Sequence, residues 1–457
     1  MAEHPSPPLM AASKGSFTLA NGLHVCLRED HRAPLVSVQL WYHVGSSYEP
    51  EGHTGLSHAL EHLLFEGSSK LAPGQYSTLM TRLGGDPNAF TYADATVFPL
   101  TLPTRHLEIA LEAMADVMAS ATLGDTPFAR ELAVVMAERR EAVDNNPWAL
   151  ALEHHDLLAY GNSGHGTPVI GHMSDLESLT PAAARTWYKT WYHPNNATLA
   201  VAGDISLLQL QTLVTRHFAA IPAHRLPMRP LPTGPSSQGR RFQTLRLPGL
   251  HNGVIISFKL PSQRTARSAR QAYALRLLPD LLANGYSSIL QRRLLLEEPI
   301  LQYIKATYEP WQRGDSLLTL YAFCSPHVTP QTAAERLMQE IEAFRQSAPA
   351  KEHLQRAKAR LLARLLFERD DIAEQAQTMG KQAACGLPVI SLEEEQQAIE
   401  TVTAEQVGLA AYEFLTDSRA AFTFTHHKES AHDRLNDPAT ACQRQQPLRR
   451  AALCPGT

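Results

Sequence analysis

Apolar and polar residues alternate with a period of two in several stretches of this chain and recur every three to four residues in others, so the sequence predicts a mixed α and β protein. Residues 16–30, SFTLANGLHVCLRED, alternate on either side of Asn21-Gly22, a dipeptide suited to the turn of a hairpin. LVSVQLWYHVG (35–45) is rich in β-branched and aromatic residues and reads as a strand. ATLAVAGD (197–204) reads as a buried strand closed by a Gly-Asp turn. Helical periodicity covers 55–66, 74–83, 105–121 and 127–143. The second half repeats the scheme, with strands at NGVIISFKL (252–260) and AAFTFTHH (420–427) and helices near 268–283, 287–297, 330–346 and 351–379. Each half runs strands, helices and a closing strand, the pattern of a weak duplication.

The clearest break is 221–241, with Pro222, Pro227, Pro230, Pro232 and Pro235 followed by Gly and Ser. Prolines at that density suppress helix and sheet and favour an extended connection. The expected organisation is a domain over 1–220, a linker over 221–241, a second domain over 242–432, and a polar, aperiodic tail over 433–457 expected to lack order. A chain of 457 residues exceeds one ordinary core, in keeping with two domains.

Composition narrows the function. Hydrophobic residues make up 44% and charged residues 19%, the profile of a soluble globular protein. The formal charge is −4 and no basic run tracks phosphates, which argues against nucleic acid as a partner. The five cysteines are odd in number and never form a C-x-x-C pair, so neither a disulfide framework nor a cysteine zinc site is expected. No secretory signal and no apolar run of membrane-spanning length is visible. The expected location is therefore cytoplasmic, or periplasmic if a leader was trimmed.

The candidate chemistry lies in GLSHALEHLLFEG (55–67). On a helix, His58, Glu61 and His62 share one face, while Leu56, Leu60, Leu63 and Leu64 form the opposite one. Two imidazoles one turn apart can chelate Zn²⁺, and the carboxylate beside them can take a proton from water. A catalytic zinc site needs a third protein ligand, and no third His follows at helical spacing. The candidates are Glu131 and Glu138 in ARELAVVMAERREAVDNNP (129–147), seven residues and two turns apart, on a helix whose Val134 and Val135 support burial. Other histidine groups are poor chelates. His154 and His155 point to different sides of a helix, and His426-His427 ends a strand at the surface. The charge runs ERDD (368–371) and LEEEQQ (392–397) read as solvated helix faces.

His58-x-x-Glu61-His62, followed by Glu138 at the end of E-x-x-V-V-x-x-E, resembles the inverzincin metallopeptidases, the family of pitrilysin, insulin-degrading enzyme and mitochondrial processing peptidase. The resemblance implies His58, His62 and Glu138 as ligands of one Zn²⁺ per chain, Glu61 as the base that activates water, and Glu131 as an accessory carboxylate beside the site. GGDPNAFTYADATVF (84–98) is similar to the family's strand beside the zinc. There Asn88 and Ala89 would hydrogen-bond an extended peptide added as an edge strand, and Phe90 would line the pocket. The implied fold is α+β: two homologous domains, each a mostly antiparallel sheet packed with helices. The implied activity is zinc-dependent endopeptidase cleavage of extended peptides or unfolded segments. A non-catalytic or weakly active assembly subunit that retains the metal motif is the alternative.

The second half departs from the family. Single-chain relatives supply an Arg and a Tyr from a stretch similar to SSILQRRLLLEEPILQYIKATYEP (287–310). Here Tyr303 matches the Tyr only with a one-residue shift, Leu295 stands at the Arg position, and Arg292 and Arg293 lie on another helix face. An intact metal set beside a degraded grip fits either relaxed substrate binding by this chain alone or a division of labour between two subunits, and the second is favoured. The expected partners are a peptide substrate and a zinc-less homologue in a heterodimer, with a homodimer as the other arrangement. The chain resembles the zinc-bearing subunit of the bacterial two-domain processing-peptidase type.

Overall fold

The computed structural model describes residues 15–228, 231–232 and 239–428. Its strands form two sheets. In the first half they are β1 (Ser16–Thr18), β2 (His24–Glu29), β3 (Leu35–Tyr42), β4 (Asp86–Pro87), β5 (Phe90–Thr91), β6 (Thr96–Pro103) and β7 (Ala197–Gly203). Their order is β1-β2-β7-β3-β6-β4, with β5 also on β6. The second half contributes β8 (Arg241–Leu247), β9 (Gly253–Leu260), β10 (Leu301–Tyr308), β11 (Ser316–Cys324) and β12 (Ala420–His427), in the order β10-β11-β9-β12-β8. The architecture is α+β, as expected.

The two sheets repeat one topology. β2 pairs parallel with β7, and β8 pairs parallel with β12. β3 lies antiparallel between β7 and β6, just as β9 lies between β12 and β11. The β5–β6 hairpin corresponds to the β10–β11 hairpin. The hairpin around Asn21-Gly22 forms as the alternation predicts, with Phe17 opposite Val25.

Each sheet is covered on one face by its own helices and on the other by a helix from the opposite half. The helix Ile372–Ala384 crosses β3 and β7 of the first sheet and buries Ala376 and Met379 against Trp41, Ala200 and Ala202. Gly380 lies directly on the Trp41 indole, where any Cβ would collide with the ring. Reciprocally, the helix Pro147–Tyr160 lies on β8, β9 and β12, with Ala159 and Tyr160 against Leu317 and Ala421. Coverage on both faces explains why β6 and β11 carry no clean period of two and are hard to read from sequence.

Some elements differ from the periodicity. The helical pattern over 351–379 is two helices, Lys351–Glu368 and Ile372–Ala384, because the Asp371 carboxylate accepts the Ala373 N–H at 2.7 Å and starts a new one. The pattern over 268–283 breaks between Ala269–Arg276 and Leu278–Leu282, where Pro279 removes a donor. Over 127–143 the α-helix is Asp125–Arg139, followed by a wider turn at Arg140–Asp144. On it Val135 is buried but Val134 is exposed. Glu395, read as part of a solvated run, is buried in an ion pair with Arg276. The linker segment 222–228 has no helix or strand, and Arg241 already belongs to β8. The tail over 433–457 lies outside the described residues.

His155 joins the halves from within the helix Pro147–Tyr160. It is 1% exposed, with Nδ1 2.8 Å from Thr423 Oγ1 and Nε2 2.7 Å from Ser257 Oγ. Burial, then the charge of Arg241, pushes its pKa down to about 3. An unfolded histidine titrates near 6.5. The unfolded chain therefore binds a proton that the fold excludes, and stability present above pH 6.5 is lost as pH falls toward 3. Between pH 6.5 and pH 5 this single group should remove about 2 kcal/mol. Denaturant midpoints measured across that range should fall more steeply for the wild type than for His155→Gln.

Candidate metal centre

The helix Leu56–Leu63 is fixed from two directions. Leu56, Leu60, Leu63 and Leu64 are at most 3% exposed and seat it in the first core. Its N-terminus has no capping side chain of its own. Glu49, from the preceding loop, fills that role: its carboxylate accepts the N–H of Gly55 at 2.8 Å and of Ser57 at 2.6 Å. Two orphan donors are thereby satisfied by one carboxyl group, whose pKa burial pushes up to about 7 against these hydrogen bonds.

The opposite face presents His58 and His62, whose ring centroids are 4.9 Å apart. Glu138 reaches both from the end of the helix Asp125–Arg139. Its Oε2 lies 3.7 Å from His58 Nε2 and 3.8 Å from His62 Nε2. The next residue, Arg139, is buried and anchors this helix end. It holds Glu153 at 2.7 and 2.9 Å, Asp144 at 3.0 Å and the Gly171 carbonyl at 2.7 Å. Glu131, two turns earlier on the same helix, places Oε2 3.5 Å from His62 Nδ1.

This donor set fits Zn²⁺. One ligand atom each from His58, His62 and Glu138 lies within 4.8 Å of the others. Tetrahedral zinc bonds of 2.0–2.1 Å place ligand atoms roughly 3.4 Å apart, close to the spacing seen. Burial, then the charge of His62, pushes the His58 pKa down to about 4, which keeps the imidazole neutral with a lone pair to offer. Among the described residues Glu138 pairs with the two histidines and with no Lys or Arg. The cluster thus gathers one carboxylate and two imidazoles, the nitrogen and oxygen donors that suit Zn²⁺.

Glu61 is buried beside the pair. Burial raises its pKa above the ordinary carboxylate range, while the Thr91 hydroxyl, donating to Oε2 at 2.6 Å, and the charge of His62 oppose the rise. Glu61, His58, His62 and Glu138 line one cavity of about 800 Å³, and every lining residue lies between His58 and Ile170. Ala89 and Phe90 are on its wall, and Asn88 and Ala89 line a smaller cavity that also reaches Glu61, His62 and Glu131.

The sequence profile of the insulinase family, peptidase family M16, matches residues 24–172, and that of the peptidase M16 inactive domain matches residues 178–361. A zinc protease PqqE of Helicobacter pylori is 30% identical over 336 residues, covering 72% of this chain and 73% of its own length. The chain belongs to peptidase family M16. Over 200 residues it is also 30% identical to the mitochondrial-processing peptidase subunit beta of Bos taurus, covering 44% of this chain and 40% of the relative. The crystal structure of a protease from Helicobacter pylori superposes with a TM-score of 0.83 at 25% identity, over 90% of this chain and 98% of that one.

The remaining residues singled out in this M16 chain lie elsewhere. Tyr303 is on β10, its ring stacked on Phe323 at 5.4 Å, and lines a separate cavity of about 600 Å³ with His251 and His327. The structure does not place it among the residues that line the metal cavity. Arg292 and Arg293 pair with Glu297 at 3.4 and 2.8 Å. Thr91, Glu49 and Arg139 were not legible as site residues. Thr91 meets Glu61 from 30 positions away and Arg139 reaches Glu153 and Gly171 from 14 and 32, whereas Glu49 bonds Gly55 and Ser57 only six and eight residues on. Among the described residues, no helix is long and apolar enough to cross a membrane.

Glu138→Gln should leave the fold intact and reduce bound zinc, measured by elemental analysis after gel filtration, to a small fraction of the wild-type content. Glu131→Gln should retain the metal with affinity lowered about 10- to 100-fold, the range for losing a partner of a ligating imidazole. Equal zinc affinity in Glu138→Gln and wild type would remove Glu138 from the ligand set.

Proposed function

We propose that this chain is a zinc-dependent endopeptidase acting on extended peptides or unfolded segments, with one Zn²⁺ per chain held by His58, His62 and Glu138. The observation that carries the reading is the convergence of these three donors with Glu61 on one open cavity. A bound Zn²⁺ lowers the pKa of water and polarises the scissile carbonyl. Glu61 takes the proton of the attacking water, its burial having raised its proton affinity, and then gives that proton to the leaving amine. Glu131 orients His62. Asn88 and Ala89 lie at the edge of the first sheet, where a peptide adds as a further strand, and Phe90, 43% exposed, packs against its side chains.

Whether the chain turns over efficiently alone or needs a partner subunit bears on the cavity walls. Among the described residues they take none from the second half, and Tyr303 lines another cavity. We therefore favour a heterodimer in which a zinc-less homologue completes the substrate grip.

Glu61→Gln should keep its zinc and lose about 10²- to 10⁴-fold in kcat against an unstructured peptide, the range for removing a general base. A wild-type chain without zinc would overturn the peptidase reading. The wild type purified alone should show weak, chelator-sensitive activity that a co-expressed zinc-less homologue raises. Full activity from the lone chain would exclude the pairing.

A further inference from the structure

The second half contributes nothing to the walls of the metal cavity, yet it touches the segment that holds Glu61. Thr91, the donor to Glu61, ends the short strand β5, which pairs with β6 through Phe90 opposite Val97 and Thr91 opposite Thr96. The turn between them, Tyr92 to Ala95, closes with the Tyr92 N–H on the Ala95 carbonyl at 2.7 Å. Asp94 is at its tip and is 6% exposed.

Four groups converge on that tip. The backbone N–H groups of Ser46 and Ser47 donate to the carbonyls of Tyr92 and Ala93 at 3.2 and 2.8 Å. Ser47 Oγ donates to Asp94 Oδ1 at 2.9 Å. His165 Nε2 lies 2.9 Å from Asp94 Oδ2. The fourth group comes from the second half: the Arg313 backbone N–H donates to Asp94 Oδ2 at 2.9 Å, and its guanidinium lies over the Tyr48 ring at 4.5 Å. Asp94, His165 and Arg313 are all buried. Arg313 occupies the loop between β10 and β11, the structural counterpart of the loop that carries Asp94. Two hairpin tips related by the internal duplication thus meet end to end.

We propose that Asp94 is a positioning residue through which the second half, by Arg313, holds the β5–β6 turn and, by way of Thr91, fixes the orientation of the Glu61 carboxylate. The second half then acts on the site without reaching it. A carboxylate that must both accept and return a proton works only within hydrogen-bond reach of the reacting atoms, and a free hairpin would let Thr91 release it. Asp94 is suited to the task because two hydrogen-bond acceptors on one buried side chain join a first-half histidine, a first-half serine and a second-half amide. Removing Asp94 takes the shared acceptor from the His165 ring and the Arg313 amide at once, and both residues are buried. The inference rests on the peptidase reading for its consequence, but the latch itself is a property of the chain without metal or substrate.

The test is a double-mutant cycle of Thr91→Val and Asp94→Ala in the full chain, with the partner present if one is needed, reading kcat, KM and zinc content. Thr91→Val should lower kcat about tenfold at unchanged KM and zinc, the loss of one hydrogen bond to a charged group. Thr91→Ser should restore it. Asp94→Ala should lower kcat by a similar factor alone, and by less than about twofold in the Thr91→Val background. Asp94→Asn, which keeps the volume, guards against a variant that fails to fold. Amide hydrogen exchange on the zinc-free chain supplies the independent readout. In Asp94→Asn the amides of Ser46, Ser47 and Tyr92 should exchange faster while those of β3 do not. Additive losses in the cycle, or unchanged exchange at those three amides, overturns the proposal. A wild type inert towards peptides overturns the peptidase reading instead and leaves the exchange result to decide the latch.

Discussion

The donor atoms of His58, His62 and Glu138 come from two helices, with Glu138 76 positions after His62, yet all lie within 4.8 Å of one another, and among the described residues no Lys or Arg pairs with Glu138. The buried Glu61 carboxyl beside them feels the charge of Glu138, which works against holding the groups together. The surrounding structure opposes this with parts that need no metal. A leucine face sinks the His58–His62 helix into the core, Glu49 holds its start, and Arg139 ties down the end that carries Glu138. The site is thus prepared by packing and hydrogen bonds before any ion binds, which is how a protein keeps ligand geometry precise.

The second constraint is the mutual covering of the two sheets. A sheet buried on both faces cannot be left half bare, and each half here lends the other a helix. Gly380 on Trp41 and His155 between Thr423 and Ser257 are the tight points of that exchange. The halves therefore stabilise each other through apolar area as well as through polar contacts. A second half described by its family profile as an inactive domain still has a physical task, which is to complete the first sheet's core and to brace the hairpin beside Glu61.

The metal motif was legible because helical periodicity is local: His58, Glu61 and His62 fall on one face by spacing alone, and the four leucines fall on the other. Strong strands such as β3, β7, β9 and β12 were legible for the same reason, as was the hairpin at Asn21-Gly22. The duplication could be seen faintly in the order of elements. Spacing left Glu131 and Glu138 as equal candidates, and family resemblance rather than any period chose between them.

Tertiary structure alone decided the rest. Where Glu138 and Glu131 stand relative to the two rings depends on how two helices pack, and no periodicity encodes a crossing between distant segments. The same holds for Thr91 on Glu61, for Asp94 meeting Arg313, and for a histidine read only as a poor chelate that proved to be the buried joint between the halves. Sequence spacing reports which side chains share a face. Which faces meet is fixed by the three-dimensional closure of the chain, because burial and hydrogen bonding act between residues hundreds of positions apart as readily as between neighbours.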